Sequence, residues 1–170
     1  MSDGAKYEQL VRDFCDAWAD GDHDKVVEYF TADGVYWIPL DDTASTQHNA
    51  AIVLDTPMRR QERVYHLTQT SYSFPAQSPR SRTLHFISNV ALEALPSGQE
   101  DGAQWLVHSN QIIYEMRTGD FKQVGIGELH PIVASVEHRL REEQGKPRIV
   151  RKKILLINRD AWLGNMTFMM

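Results

Sequence analysis

Cysteine is the scarcest reactive residue in this chain, with Cys15 alone among 170 residues. A lone cysteine closes no internal disulfide. It also cannot supply a four-cysteine zinc site, a two-cysteine zinc finger or the two cysteines of a Rieske cluster. Long apolar runs are missing too: none reaches the roughly 18 residues of a membrane-crossing helix. Met1 to Leu10 is polar and acidic, without the cationic flank and apolar stretch of a signal peptide, so a cytoplasmic location is expected. There is no glycine-rich phosphate loop. Gly125-Ile126-Gly127-Glu128 lacks the third glycine and sits inside a strand pattern, where glycine marks a bulge or a close backbone approach. No pair among the seven histidines has the spacing of a helical metal motif.

What is present is an ordinary globular composition, 42% hydrophobic and 24% charged. The length predicts a single domain over residues 1–170, with a core large enough to need no disulfide or metal staple. The net charge of −5 is uneven. Residues 1–33 carry nine acids against three bases, while residues 137–170 carry eight bases against four acids. Lys152 and Lys153 lie inside an apolar strand pattern with no aromatic-interleaved basic platform, so no nucleic-acid partner is expected.

Helical periodicity comes first. Tyr7, Leu10, Val11, Phe14 and Trp18 share one helical face, with Ser2 and Asp3 as candidate caps. Cys15 lies near that face as a small buried hydrophobe. A short helix is predicted from about Asp24 to Phe30, a turn over Thr31-Ala32-Asp33-Gly34, and a strand from Val35 that stops at Pro39. Residues 41–50 read as a loop and Ala51 to Leu54 as a short strand. Pro57 suits the first position of a third helix running to about Gln69, with Arg59, Arg60 and Arg63 as a cationic face and Val64 and Leu67 as an apolar one. From residue 80 the period changes to strands. Arg82 to Leu95 is the first, with Leu84, Phe86, Val90 and Leu92 on one side. Gln104 to Met116 and Phe121 to Ile132 follow, then a charged loop or helical turn over Glu137 to Gly145. The last long strand is Arg148 to Asn158, where Ile154 to Ile157 suits a strand covered on both faces. Helices first and hairpin-linked strands later predict an α+β fold, a mostly antiparallel sheet covered by the N-terminal helices.

Two stretches carry more charge than a plain sheet needs. Pro79 to Val90 opens a strand with Arg80 and Arg82, and Arg151-Lys152-Lys153 precedes the apolar run Ile154 to Ile157. Such cations are expected in ion pairs or at an interface, and the apolar tail Met166 to Met170 needs cover from the core or another chain. For acid–base chemistry, Tyr36, Asp55, His85 and Tyr114 are the residues to inspect.

Four segments in order resemble the small (β) subunits of aromatic-ring-hydroxylating dioxygenases, the Rieske non-haem iron oxygenases. They are Phe30 to Leu40, Asp55 to Leu67 with Arg59 and Arg63, Pro79 to Val90 with Arg82, His85 and Asn89, and Lys152 to Asn158 followed by the apolar tail. The resemblance implies a cystatin-like, nuclear-transport-factor-2-like fold with a curved antiparallel sheet wrapped on helices. It implies no catalytic residue, cofactor or metal in this chain. The partner large (α) subunit would carry the Rieske [2Fe–2S] cluster and the mononuclear iron, and would hydroxylate an arene with O2 and NAD(P)H. The small subunits would form a trimer within a heterohexamer. Arg82, Lys152 and Lys153 are then candidates for interchain or interior ion pairs, and Trp37 and Pro39 for interface packing. Arg59, Arg63, His85, Asn89 and Asn158 complete the set of interface or structural candidates. The competing readings are a stand-alone isomerase- or dehydratase-type acid–base enzyme of the same fold, and a binding module without chemistry.

Overall fold

The computed structural model describes residues 3–20, 22–44, 50–69, 81–118, 126–163 and 170. The Ser2 cap, the Trp18 and Leu67 side chains, residues 45–49 and 70–80, the turn at Gly119-Asp120, Phe121 to Gly125 and the tail 164–169 lie outside that description.

Helix α1 (Asp3–Asp20) buries Tyr7, Leu10, Val11, Phe14, Cys15 and Ala17 along one face, the spacing read from the sequence. Asp22 caps α2 (His23–Glu28) by accepting from the Lys25 amide at 3.2 Å. Strands β1 (Phe30–Pro39) and β2 (Ala51–Asp55), helix α3 (Pro57–Gln69), and strands β3 (Arg82–Ala94), β4 (Trp105–Met116), β5 (Leu129–Glu143) and β6 (Lys146–Leu156) follow. The six strands form one sheet in the order β2-β1-β6-β5-β4-β3. Neighbours are antiparallel except β1 and β6, which run parallel.

Three expectations change. The turn expected at Thr31 to Gly34 is absorbed into β1, where register with β6 slips between Phe30 and Val35. A Cβ on Gly34 would sit 2.7 Å from the Ile149 carbonyl oxygen, so glycine there permits a close backbone approach. The predicted third strand, Phe121 to Ile132, and the loop or helical turn over Glu137 to Gly145 are replaced by β5, which runs from Leu129 to Glu143. Ile132, Ala134, Val136, His138 and Leu140 are buried, while Glu137, Arg139, Arg141 and Glu143 alternate on the other side. That alternation is a half-buried strand whose outer charges mimic a loop. It closes on Gln144-Gly145, both with positive φ, a two-residue hairpin turn that joins Glu143 to Lys146. Finally, Leu84, Phe86, Val90 and Leu92 do not share a side. Asn89 takes φ +52°, the β3–β4 register slips between Ser88 and Ala91, and the bulge switches faces. Leu84 and Phe86 point outward, while Val90 and Leu92 pack on the core.

Helix α1 covers the inner face. Phe14 is its centre, edge-on to Tyr29, Phe30 and His138 at 5.8, 5.9 and 6.2 Å, and Tyr7 stacks near Trp105 at 5.1 Å. Gly34→Ala tests the tight β1–β6 approach. It forces backbone against backbone and is expected to lower unfolding free energy by about 1–3 kcal/mol, read by urea denaturation. An unchanged midpoint would mean that β1 relaxes freely there.

Candidate functional site

The two faces of the sheet offer two different sites. On the inner face, Tyr36 and Asp55 oppose each other across β1 and β2. Asp55 accepts from Arg63 Nε at 2.5 Å and Nη2 at 3.1 Å, and burial opposes the Arg63 charge less than Asp55 supports it, so its pKa rises. The Tyr36 hydroxyl accepts from the Met170 amide at 3.1 Å, and burial pushes its pKa up. Arg60, also buried, donates to the Gly34 carbonyl at 2.5 Å with its guanidinium 4.1 Å from the Phe30 ring centroid. The cationic face expected of α3 is therefore split: Arg60 and Arg63 turn inward and Arg59 stays exposed. Further along, Glu115 is buried, accepting from Ser81 Oγ at 2.7 Å and pairing with Arg117 at 3.4 Å.

Lys152 is fully buried on β6, opposite His138 on β5. Its ammonium lies 4.1 Å from the Phe14 ring centroid. Burial pushes its pKa down to about 8, against the opposing pull of Cys15. Burial, then the Lys152 charge, brings His85 down to about 4 and holds His138 well below its ordinary range. The Cys15 thiol accepts from Gln111 Nε2 at 3.7 Å, and burial pushes its pKa up. Lys152 thus lies in the interior, with no ion pair among the described residues. His138 and Glu115 were legible only through the β5 and β4 alternation, which their polar character hides.

The outer face is different. Leu84 and Phe86 on β3 oppose Tyr114 and Ile112 on β4, and Tyr114 and Ile112 oppose Pro131 and Val133 on β5. Phe86 and Tyr114 meet edge to face at 6.1 Å. The Ile157 amide donates to the Val133 carbonyl, extending the strip past β6. Leu84, Phe86, Leu129 and Ile157 expose 59%, 52%, 60% and 67% of their surface. Tyr114 therefore belongs to this face and is separated from Tyr36, Asp55 and His85 by the sheet. Arg82 and Asn89 are exposed on β3. Lys153 points outward, 5.6 Å from the Trp37 ring centroid, and donates to the Asp42 carbonyl at 3.1 Å. Trp37 and Pro39 are buried. Arg59 donates to the Leu54 carbonyl, and Asn158 donates to the Pro131 carbonyl at 3.2 Å, tying the end of β6 to β5. Among the described residues, no three His, Cys, Asp or Glu side chains converge to hold a metal ion.

Residues 14–160 match the family described as "Ring hydroxylating beta subunit". The small oxygenase component of the p-cumate 2,3-dioxygenase system of Pseudomonas putida is 32% identical over 130 residues, 75% of this chain and 64% of that protein. The match thus spans less than two thirds of that relative. The beta subunit of benzoate 1,2-dioxygenase from Burkholderia mallei superposes with a TM-score of 0.68 at 19% identity, covering 97% of this chain and 96% of that one. A protein from Novosphingobium aromaticivorans with a nuclear-transport-factor-2-like, cystatin-like fold gives a TM-score of 0.59 at 12% identity, covering 94% and 83%. These likenesses fix the fold as the curved-sheet cystatin type.

The buried bases give stability a pH profile. His85 and His138 are held neutral, whereas the unfolded chain titrates them near 6.5. Their contribution is complete above about pH 6.5 and is lost as pH falls below it, for His85 down to about pH 4. Lys152 is held near 8 against 10.5 unfolded, so stability rises again between those values. In low-salt buffer, Lys152→Met is expected to flatten the alkaline rise and to stabilise the protein at pH 7 by about 3 kcal/mol at most. Denaturation midpoints from pH 4 to 10.5 read both limbs; parallel alkaline limbs in the two proteins would show that Lys152 titrates as it does in water.

Proposed function

The chain belongs to the ring-hydroxylating beta-subunit family, and from that premise we propose that it is the non-catalytic small subunit of a multicomponent aromatic-ring-hydroxylating dioxygenase. In this reading it organises large (α) subunits that carry the Rieske [2Fe–2S] cluster and the mononuclear iron. Those subunits perform the NAD(P)H- and O2-dependent hydroxylation of an arene in aromatic catabolism. The small chains self-associate as a trimer within a cytoplasmic heterohexamer. Electrons and oxygen are handled by the partner, so this chain's own contribution is to bind, orient and hold together.

One observation carries the reading: among the described residues, nothing covers the apolar strip on the outer face. The sequence of β6 calls for cover on both faces, yet the helices lie on one. Ile157, Leu84, Phe86 and Leu129 remain open. An exposed apolar surface of this kind, contiguous over β3 to β6, favours burial against another chain. Arg82 on β3 and Lys153 on β6 flank that exterior and supply its polar rim, with Asn89 exposed at the β3 bulge, while Arg59 lies against β2, away from it. Trp37 and Pro39, with Lys153 over the indole, stiffen β1 behind it. Lys152 and His85 act from inside, through the fold. The acid–base alternative gains no specific support, since the Tyr36 hydroxyl and the Asp55 carboxylate are engaged by Met170 and Arg63.

Co-expression with the large subunit, followed by size-exclusion chromatography with light scattering and an iron assay, tests the role. Co-elution at the mass of three large and three small chains, with iron in the large one, is expected; a monomer or dimer indifferent to that partner would overturn it. Phe86→Asp and Ile157→Asp point away from the core and are expected to keep the isolated fold's stability within about 0.5 kcal/mol. Each is expected to weaken assembly by roughly 30-fold or more, as loss of a buried apolar anchor does. Arg82→Ala is expected to loosen the hexamer as well, and intact assembly in that variant would remove Arg82 from the interface.

A further inference from the structure

A set of buried polar side chains beneath α1 is left unused by the subunit role. Lys152 and His138 oppose each other on β6 and β5, and both face the Phe14 ring, at 4.1 Å and 6.2 Å from its centroid. Among the described residues, neither Lys152 Nζ nor either ring nitrogen of His138 has a hydrogen-bond partner. Ser109 Oγ, one diagonal step away on β4, has none either. All three residues are buried. The other titratable groups facing Lys152 are His85 from β3, Cys15 from α1 and Tyr36 beside it on β1. Cys15 already accepts from Gln111, and Tyr36 from Met170. None of these groups is a carboxylate.

The inventory is rich in donors and poor in acceptors. An ammonium offers three N–H groups, a neutral imidazole one more, and a serine hydroxyl another. A buried cation without a counter-charge is costly, and the ring face of Phe14 relieves only one side of it. A buried water satisfies polar atoms but brings no charge. A small anion does both.

We propose that Lys152, His138 and Ser109, between α1 and the sheet, form a binding site for a small monovalent anion of the halide or formate class. The ammonium and the His138 N–H donate to it, and the Ser109 hydroxyl completes its shell. Entry requires only local opening of α1 from the sheet. The bound anion would fasten that helix to β5 and β6, whether or not the chain is assembled with a partner.

The test uses the full chain and bromide as probe. At pH 6.5 and constant ionic strength, replacing gluconate with bromide is expected to raise Tm saturably, by roughly 3–6 °C at tenfold excess over the dissociation constant. The rise is expected to vanish in Lys152→Met and at pH 10.5, where the amine is neutral. Crystals grown in bromide are expected to give an anomalous peak at hydrogen-bond distance from Lys152 Nζ. Equal Tm in the two salts, an equal rise in Lys152→Met, or only an ordered water beside Nζ would each overturn the proposal. Should the variant fail to fold, the wild-type anomalous map decides alone.

Discussion

A sheet has two faces, and the helices of this chain cover one. That constraint organises everything else. The inner face buries Ile132, Ala134, Val136, Leu140, Ile154 and Leu156 under α1, with Phe14 at the centre. The outer face keeps charges at one end and apolar side chains at the other. At the charged end, Arg139 and Arg141 are satisfied by Asp101, Asp33 and Glu143. At the apolar end no described residue covers Leu84, Phe86 and Ile157. A single layer of helix cannot serve both sides, and the proposed role leaves the second side to association.

The interior is less conventional than a plain apolar core. Arg60, Arg63, Asp55, Glu115, Arg117, His138 and Lys152 all project inward. Most are neutralised locally: Asp55 by Arg63, Glu115 by Arg117 and Ser81, Arg60 by the Gly34 carbonyl and the Phe30 ring. Removing one partner from such a pair leaves a stranded charge, so the pairs hold the strands in one register rather than simply adding stability. Among the described residues, Lys152 is the member of this set whose charge meets only an aromatic face.

Much of the architecture was legible in the sequence. The α1 face, the start of α3 at Pro57, the β3–β4 hairpin and the α+β order follow from apolar spacing and turn residues. The family resemblance rested on segments that fall in β1, α3, β3 and β6. What escaped did so for physical reasons. In β5, outward Glu137, Arg139 and Arg141 interrupt the apolar signal that inward Val136, His138 and Leu140 supply, and a polar His at an inward position removes one of its beats. In β3, a bulge at Asn89 shifts the period by one, which no count of alternating residues detects. In α3, three arginines share a stretch of helix but not a fate, because their partners, Leu54, Gly34 and Asp55, come from other elements. Interior pairs of that kind are properties of the register, and the register is set by contacts distant in sequence.

The parallel pairing of β1 with β6 carries a consequence for how the chain comes to be folded. Tyr36 lies beside Lys152, and Phe30 beside Ile149. The first strand can pair early with β2, but it finds its other neighbour only when the last strand exists. During synthesis, at roughly 5–20 residues per second, the amphipathic first helix and β1 wait for many seconds with their apolar sides unclaimed. The β3–β4 and β5–β6 hairpins, whose contacts are short-range, are free to form first and offer a template. Folding is thus ordered from the C-terminal half backwards, with the N-terminal third docking last across a large loop.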